Sequence, residues 1–210
     1  MYDSAKFWDK TADKYAAMPV RNQDAYDALL DQVRAFAAPD STVLELGCGT
    51  GSTAIALAPS FDHIVATDVS SGMLEKGREK AQDQQVGNVE FVLADPTDAP
   101  AGPFDVVLAF NLLHLLKDLD GALSEIAARL KPEGVFVSKT FCMPERRDLI
   151  WALITVGLPL MQAIGKAPFF AKLSAADLEN AFTRAGLTIV ENHKAPGKDP
   201  RRTIVARRSE

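Results

Sequence analysis

A glycine-rich segment at residues 43–51, VLELGCGTG, constrains this chain more than any other feature of its sequence. The segment begins as an apolar strand and ends in the alternating glycines Gly47, Gly49 and Gly51. Glycine permits a tight turn and allows the backbone to approach a ligand closely. The segment therefore predicts a ligand-binding turn between a strand and a helix, the alternative being a glycine-rich turn with a structural role only.

The spacing of these glycines differs from that of two common phosphate-binding loops. A dinucleotide-binding G-x-G-x-x-G loop requires Gly or Ala at the position that Ser52 occupies here. A P-loop requires Gly-Lys followed by Ser or Thr, which this segment lacks. Ser52 thus counts against a nicotinamide-dependent oxidoreductase, although that alternative stays open at this point.

Short apolar runs alternate with helical patterns along the chain. Nearly continuous runs, which are typical of strands buried on both faces of a parallel sheet, occur at 42–46, 63–67, 89–93, 104–110 and 135–139. Two later runs, 187–191 and 203–206, are separated by a turn too short for a crossover helix, which predicts an antiparallel hairpin. The pattern predicts an α/β fold: a Rossmann-like, doubly wound, seven-stranded sheet that is mostly parallel, with a C-terminal antiparallel hairpin strand and helices on both faces.

The domain organisation follows from chain length and from the regions that flank these strands. A chain of 210 residues suits a single domain, predicted to span 1–210. Helical patterns at 1–39 predict an N-terminal lid, and the variable region 142–173 predicts a helical cap insertion. The apolar stretch 149–164 is shorter than the roughly 20 residues that a bilayer requires, so no membrane span is expected.

Charge and cysteine content limit the classes of partner. The net charge of −5 disfavours nucleic acid, because phosphate binding relies on Lys and Arg. Cys48 and Cys142 cannot build a disulfide framework, and the absence of a CxxC pattern leaves no expected metal site.

The first residues lack the apolar core of a signal peptide, so a cytoplasmic location is expected. A monomer or a homodimer is expected, with peripheral membrane contact through Arg146 and Arg147 as a minor option.

The segment VLELGCGTG resembles motif I of the class I S-adenosylmethionine-dependent methyltransferases. The resemblance covers about residues 40–140 and includes Asp68, Asp95, the Phe110-Asn111 strand end and the turn at 130–134. The aromatic pattern from Phe7 to Tyr15 also resembles the small-molecule branch, which is similar to the ubiquinone and menaquinone methyltransferases. The resemblance implies S-adenosyl-L-methionine as cofactor and methyl transfer as the reaction.

Two acidic residues follow the second and third predicted strands. A carboxylate at Asp68 can accept hydrogen bonds from both ribose hydroxyls, the alternative being an ordinary acid at a helix N-terminus. The resemblance implies that Asp95 accepts the adenine amino group and that the next backbone N–H donates to the ring. Here that next residue is Pro96, which has no N–H, so a later residue such as Thr97 is expected to replace it.

The remaining predicted contacts surround the sulfonium and the amino-acid end of the cofactor. Glu45 is expected to pair with the ammonium of the cofactor, directly or through water. Tyr15 and Trp8 are expected to cover the sulfonium, the alternative for both aromatic residues being packing of the N-terminal helices. Cys48 is interpreted as a small loop residue. The full predicted cofactor-binding set is Tyr15, Glu45, Gly47, Cys48, Gly49, Gly51, Asp68, Val69, Met73, Asp95, Phe110 and Asn111.

The methyl acceptor is predicted to be a small, apolar molecule. The Asn-Leu-Leu-His segment ending at His114 differs from the Pro-Pro motif of enzymes that methylate nucleic-acid amines. His114 is a candidate catalytic base or orienting residue, the alternative being a buried core histidine. Trp151 and Met161, in the apolar cap, are candidate pocket walls alongside His114. A non-catalytic or regulatory module that binds the same cofactor stays open.

Overall fold

The computed structural model describes residues 4–20, 22–144, 157–162, 164–197 and 199–209. The helices named below are α1 Ser4–Ala16, α2 Gln23–Ala35, α3 Ser52–Leu57, α4 Ser71–Asp83, α5 Leu119–Arg129 and α6 Ala175–Arg184. The strands are β1 Thr42–Leu46, β2 His63–Asp68, β3 Val89–Leu93, β4 Phe104–Phe110, β5 Leu130–Phe141, β6 Leu187–Lys194 and β7 Arg201–Arg208. Residues 157–162 are also helical.

Within these residues the strands form one seven-stranded sheet in the order β3-β2-β1-β4-β5-β7-β6. The neighbours from β3 to β5 run parallel, whereas β7 lies between β5 and β6 and is antiparallel to both. The predicted fold class and the C-terminal hairpin are therefore confirmed. The strand order reverses between β1 and β4, which is the switch point where ligands bind in such sheets.

The two faces of the sheet are covered by different helices. Successive side chains of a strand point to opposite faces, and Val43 and Leu44 accordingly enter separate apolar clusters. Leu44 shares its cluster with Leu123 of α5 and Phe182 of α6, whereas Val43 shares its cluster with Leu57 of α3. Helices thus lie on both faces and hold the strand ends in fixed positions.

Local capping explains where two of the helices begin. The hydroxyl of Ser70 accepts a hydrogen bond from the Met73 N–H at 3.1 Å, which starts α4 immediately after β2. Ser174 and Asp177 form the reciprocal capping box that their spacing predicts at the start of α6. Strand β5 begins earlier than predicted, at Leu130, because this residue pairs with Phe104 before the register shifts.

Helix α1 is attached to the start of α4 by one carboxylate. Oδ1 of Asp9 accepts hydrogen bonds from the Ser70 hydroxyl at 2.6 Å and the Gly72 N–H at 3.0 Å. The lid at 1–39 and the cap at 142–173 stay predictions. Across the described ranges, no helix is long and apolar enough to cross a membrane.

Candidate functional site

A cleft of about 860 Å³ lies at the carboxyl ends of the parallel strands, around the switch point. Most predicted site residues line it: Tyr15, Gly47, Gly49, Asp68, Val69, Met73, Asp95, Phe110, Asn111 and His114. The lining does not include Glu45, Cys48, Gly51 or Met161. Met161 is 41% exposed, and Trp151 falls outside the described residues.

The glycine loop has the conformation that its sequence predicts. Gly47, Gly49 and Gly51 have φ angles of 65°, 54° and 67°, a left-handed region that favours glycine. Their surroundings differ, since a Cβ on Gly49 would approach the Tyr15 ring at 3.6 Å, whereas one on Gly51 would overlap the ring of Phe91. A Cβ on Gly47 would overlap the side chain of Leu112, which lines the cleft, so Gly47 allows close packing there, and Gly51 allows the loop to pack against β3.

Asp68 connects this loop to the end of β2. One carboxylate oxygen accepts a hydrogen bond from the Gly49 N–H at 2.9 Å, and the other accepts from the Ser70 N–H at 2.9 Å. Burial raises the pKa of this carboxyl, although the backbone hydrogen bonds oppose that rise. Each carboxylate oxygen has a second lone pair, so Asp68 can still accept hydroxyl groups from the cleft.

Glu45 lies one layer behind the cleft wall. It is 3% exposed, and its Oε2 has no hydrogen-bond partner among the residues that the structure describes. Burial raises its pKa to about 8, although contacts with Ala54 and Thr53 oppose the shift. A buried oxygen without a partner beside an open glycine loop fits a cationic group in the cleft, directly or through water. The residues around the loop therefore fit the cofactor that the resemblance implies.

Cys48 has a structural role in the loop. Its backbone N–H donates to the carbonyl of Thr67 at 2.9 Å, which continues the pairing of β1 with β2 into the turn. Burial raises the pKa of its thiol well above the usual value, so the reactive thiolate is disfavoured. Both observations agree with its interpretation as a small loop residue.

The loop after β3 forms a turn around Asp95. The carboxylate Oδ1 accepts hydrogen bonds from the N–H and the hydroxyl of Thr97, at 3.1 and 3.0 Å. The Thr97 N–H therefore already has an acceptor, contrary to the expectation that it replaces the N–H missing at Pro96. Pro96 itself is buried and lines the cleft, so it offers an apolar surface at this position.

Two aromatic side chains of α1 lie over the end of the cleft that contains the glycine loop. Trp8 and Tyr15 both line it, and their rings meet edge to face with centroids 6.2 Å apart. Because Asp9 attaches this helix to α4, the aromatic pair is held close to the loop at Gly49.

His114 lies toward the other end of the cleft in a short 3-10 turn. Its Nδ1 accepts a hydrogen bond from the backbone N–H of Phe141 at 3.4 Å, which places the ring hydrogen on Nε2. Burial, with the nearby charge of Arg201, lowers the pKa of His114 to about 4. The ring is therefore neutral at pH 7 and offers an N–H donor rather than a base.

Several lining residues were not singled out as site residues from the sequence. Phe170 contacts the His114 ring with centroids 5.1 Å apart, Arg201 lies near the same ring, and Lys117 is a further cation in the cleft lining. Arg201 reaches the cleft because it pairs with Phe141 at the carboxyl end of β5. Its position depends on β7 lying beside β5. The only sequence signal for it is a cation at the start of a strand after a Pro-Gly turn.

The fold and the site together define the class I S-adenosylmethionine-dependent methyltransferase architecture. Residues 43–134 match a family described as "Methyltransferase domain". The match contains the glycine loop and both aspartates described above. Among the described residues, no cluster of three or more His, Cys, Asp or Glu side chains is arranged to hold a metal ion.

Comparison with known proteins gives partial sequence matches and an extensive structural match. The chain is 42% identical over 105 residues to a demethylmenaquinone methyltransferase of Clavibacter sepedonicus, covering 49% of this chain and 42% of that protein. The chain thus spans less than half of that relative's length.

Two solved structures show the same fold at low sequence identity. The geranyl diphosphate C-methyltransferase of Streptomyces coelicolor A3(2), solved with S-adenosyl-L-homocysteine, has a TM-score of 0.72 at 16% identity, covering 90% of this chain and 80% of that chain. The [4+2]-cyclase SpnF has a TM-score of 0.74 at 18% identity, covering 92% of this chain and 85% of that chain. Because these proteins have different activities, the function must be argued from the site.

Proposed function

We propose that this protein transfers the methyl group of S-adenosyl-L-methionine to a small, apolar acceptor molecule. The observation that carries the proposal is the juxtaposition of Gly47, Gly49 and the Asp68 carboxylate at one end of a single cleft, with the unpartnered Glu45 oxygen buried behind the wall of that cleft. A dinucleotide-binding loop is disfavoured by Ser52, and no observation favours an oxidoreductase.

S-adenosylmethionine supplies a methyl group that is already activated by its sulfonium charge. The residues of the chain then have three tasks: to bind the nucleoside, to orient the acceptor and to exclude water. Asp68 is assigned to the ribose hydroxyls, Asp95 and Pro96 to the adenine, and Glu45 to the ammonium group. The aromatic rings of Trp8 and Tyr15 are assigned to the sulfonium, because they cover the cleft beside the glycine loop and an aromatic face attracts a cation.

His114 is assigned to orienting the acceptor rather than to removing a proton. A base must accept a proton near neutral pH, and the lowered pKa of His114 makes it a weak acceptor. Its Nε2–H can instead donate a hydrogen bond to an oxygen or nitrogen of the acceptor.

The apolar character of the acceptor is inferred from the lining beyond His114. Leu112, Leu115, Leu116, Phe169 and Phe170 line the cleft on this side. Each methylene buried against such a surface contributes about 0.8 kcal/mol, so a hydrophobic acceptor gains affinity here. The menaquinone relative points in the same direction, because its name specifies an apolar quinone substrate.

We assign the protein to the cytoplasm, where a reducing environment suits the free, buried thiols of Cys48 and Cys142. Its partner is the small-molecule acceptor, and either a monomer or a homodimer is compatible with the cleft, which lies within one chain.

The experiment that tests the function is transfer of a labelled methyl group. The protein is incubated with methyl-tritiated S-adenosylmethionine and a metabolite extract, and label is counted in the organic phase. We expect label in a discrete apolar product, and much less of it with the Asp68→Ala variant, whose affinity for the cofactor should be about ten- to hundredfold weaker. Cofactor binding without any transfer would favour the alternative of a non-catalytic binding module.

A further inference from the structure

The acceptor end of the cleft contains a cation whose hydrogen-bond donors are only partly used. Arg201 begins β7 and lines the cleft together with His114 and Phe170. Its Nε and Nη2 donate to the carboxylate of Asp199 at 2.6–3.0 Å. Its Nη1 donates no hydrogen bond to any residue that the structure describes. The guanidinium therefore has donor capacity left in a cleft that is also lined by apolar side chains such as Phe170 and Leu115.

The local charge balance remains positive even with Asp199 counted. Lys139 lies on β5 two residues before Phe141, the strand partner of Arg201. Burial lowers the pKa of Lys139, the charge of Arg201 lowers it further, and the charge of Asp199 opposes both effects. Lys117 is a second cation in the lining. Its neighbour Asp118 also lines the cleft and balances the charge of Lys117, so the excess positive charge comes from Arg201 and Lys139 against Asp199. The carboxylates Asp68 and Asp95 belong to the cofactor end, so the two ends of the cleft differ in charge.

A structural role for Arg201 alone would not explain its place in the cleft. Asp199 accepts the Arg201 backbone N–H at 3.0 Å, so the turn is already closed without the side chain. The side-chain pair instead fixes the guanidinium at the carboxyl end of β5, near the His114 ring. Two hydrogen-bond donors, Nε2–H of His114 and Nη1–H of Arg201, are then available in the part of the cleft that Phe170 lines.

From this arrangement we propose that the acceptor is an apolar molecule with an acidic oxygen group, such as a carboxylate, which Arg201 binds while Phe170 packs against the hydrocarbon part. This inference rests on the proposed function and specifies its substrate class. Arg201 acts here as a specificity-determining residue, because its remaining Nη1–H would form a charge-assisted hydrogen bond with an ionised oxygen and a weaker one with a neutral analogue of the same shape.

The test uses two probes of equal shape, 2-naphthoate and its neutral amide, 2-naphthamide. Each is titrated by calorimetry into the full chain saturated with S-adenosylhomocysteine. We expect naphthoate to bind about ten- to a hundredfold more tightly than naphthamide, as a charge-assisted pair would give. In Arg201→Gln this preference should fall to within about twofold, with the affinity for S-adenosylhomocysteine unchanged.

Arg207→Gln is the matched control, because Arg207 lies on the same strand and pairs with Glu133 outside the cleft lining. This variant should keep the full preference for naphthoate. If Arg201→Gln does not fold, Asp199→Asn replaces it, and removal of the neutralising charge should strengthen naphthoate binding but not naphthamide binding.

Two results would overturn the inference: equal affinities of the probes for the wild type, or no binding of either at about 1 mM. Failure of the protein to bind S-adenosylhomocysteine would instead contradict the proposed function, so the two failures are distinguishable.

Discussion

Replacement of Asp68 by Asn tests the proposed cofactor site, because Asp68 both holds the glycine loop and is assigned to the ribose. The carboxylate accepts two backbone N–H groups, from Gly49 and Ser70, and in the proposed function it also accepts the ribose hydroxyls. An Asn side chain has a single oxygen, so it can replace only part of this set. The amide nitrogen of Asn would place its N–H donors against the backbone N–H of Gly49 or of Ser70, so that backbone donor would lose its acceptor.

The magnitude follows from the two opposing effects of the substitution. Loss of a charge-assisted hydrogen bond costs about 1.5–3 kcal/mol, which corresponds to a roughly ten- to hundredfold weaker affinity for S-adenosylhomocysteine. The stability of the free protein should change much less. Burial already raises the pKa of Asp68, so removal of its charge offsets part of the lost backbone bonding.

The assay is calorimetric titration of S-adenosylhomocysteine, accompanied by thermal unfolding of the free protein. Asp62→Asn is the control, because Asp62 is exposed and precedes the opposite end of the same strand. This control should bind as the wild type does. An Asp68→Asn variant that keeps the wild-type affinity would refute the assignment of Asp68 to the ligand. A large loss of stability would instead indicate that Asp68 mainly holds the loop.

Three further predictions concern neighbouring residues. Pro96→Ala should leave the calorimetric affinity for S-adenosylhomocysteine unchanged or raise it modestly, since Pro96 has no N–H to lose; a large loss would mean that the ring shapes the loop. The stability of the free protein should fall as pH rises from about 4.5 toward 8, because folded Glu45 holds its proton up to a pKa of about 8. Urea unfolding at several pH values should show this slope, and Glu45→Gln should reduce it; an unchanged slope would contradict the assignment. His114→Phe should raise the Michaelis constant for the acceptor more than it lowers kcat, and wild-type kcat should show no inflection between pH 6 and 8. An inflection that His114→Phe removes would restore His114 as a base.

The sheet and the cofactor end could be predicted from the sequence because their signals are local. Each parallel strand is a continuous apolar run, and Asp68 and Asp95 directly follow two of these strands. The glycines also predicted a tight turn between a strand and a helix, and the positive φ angles of all three show why glycine is favoured at these positions.

The acceptor end depends on pairing between distant parts of the chain, which the sequence does not encode locally. Arg201 enters the cleft because β7 inserts between β5 and β6, and Phe170 because its loop returns to His114. The packing of Gly51 against Phe91 likewise depends on tertiary geometry, whereas the hydrogen bond from the Thr97 N–H to Asp95 is a local turn between residues two apart.

A crystal structure with S-adenosylhomocysteine tests the central claim most directly. The ribose hydroxyls should contact Asp68, and the adenine should lie beside Asp95 and Pro96. The sulfur of the ligand should face the part of the cleft that His114 and Phe170 line. Density for the ligand elsewhere, or in the reverse orientation with the adenine near His114, would contradict both the cofactor site and the position of the acceptor.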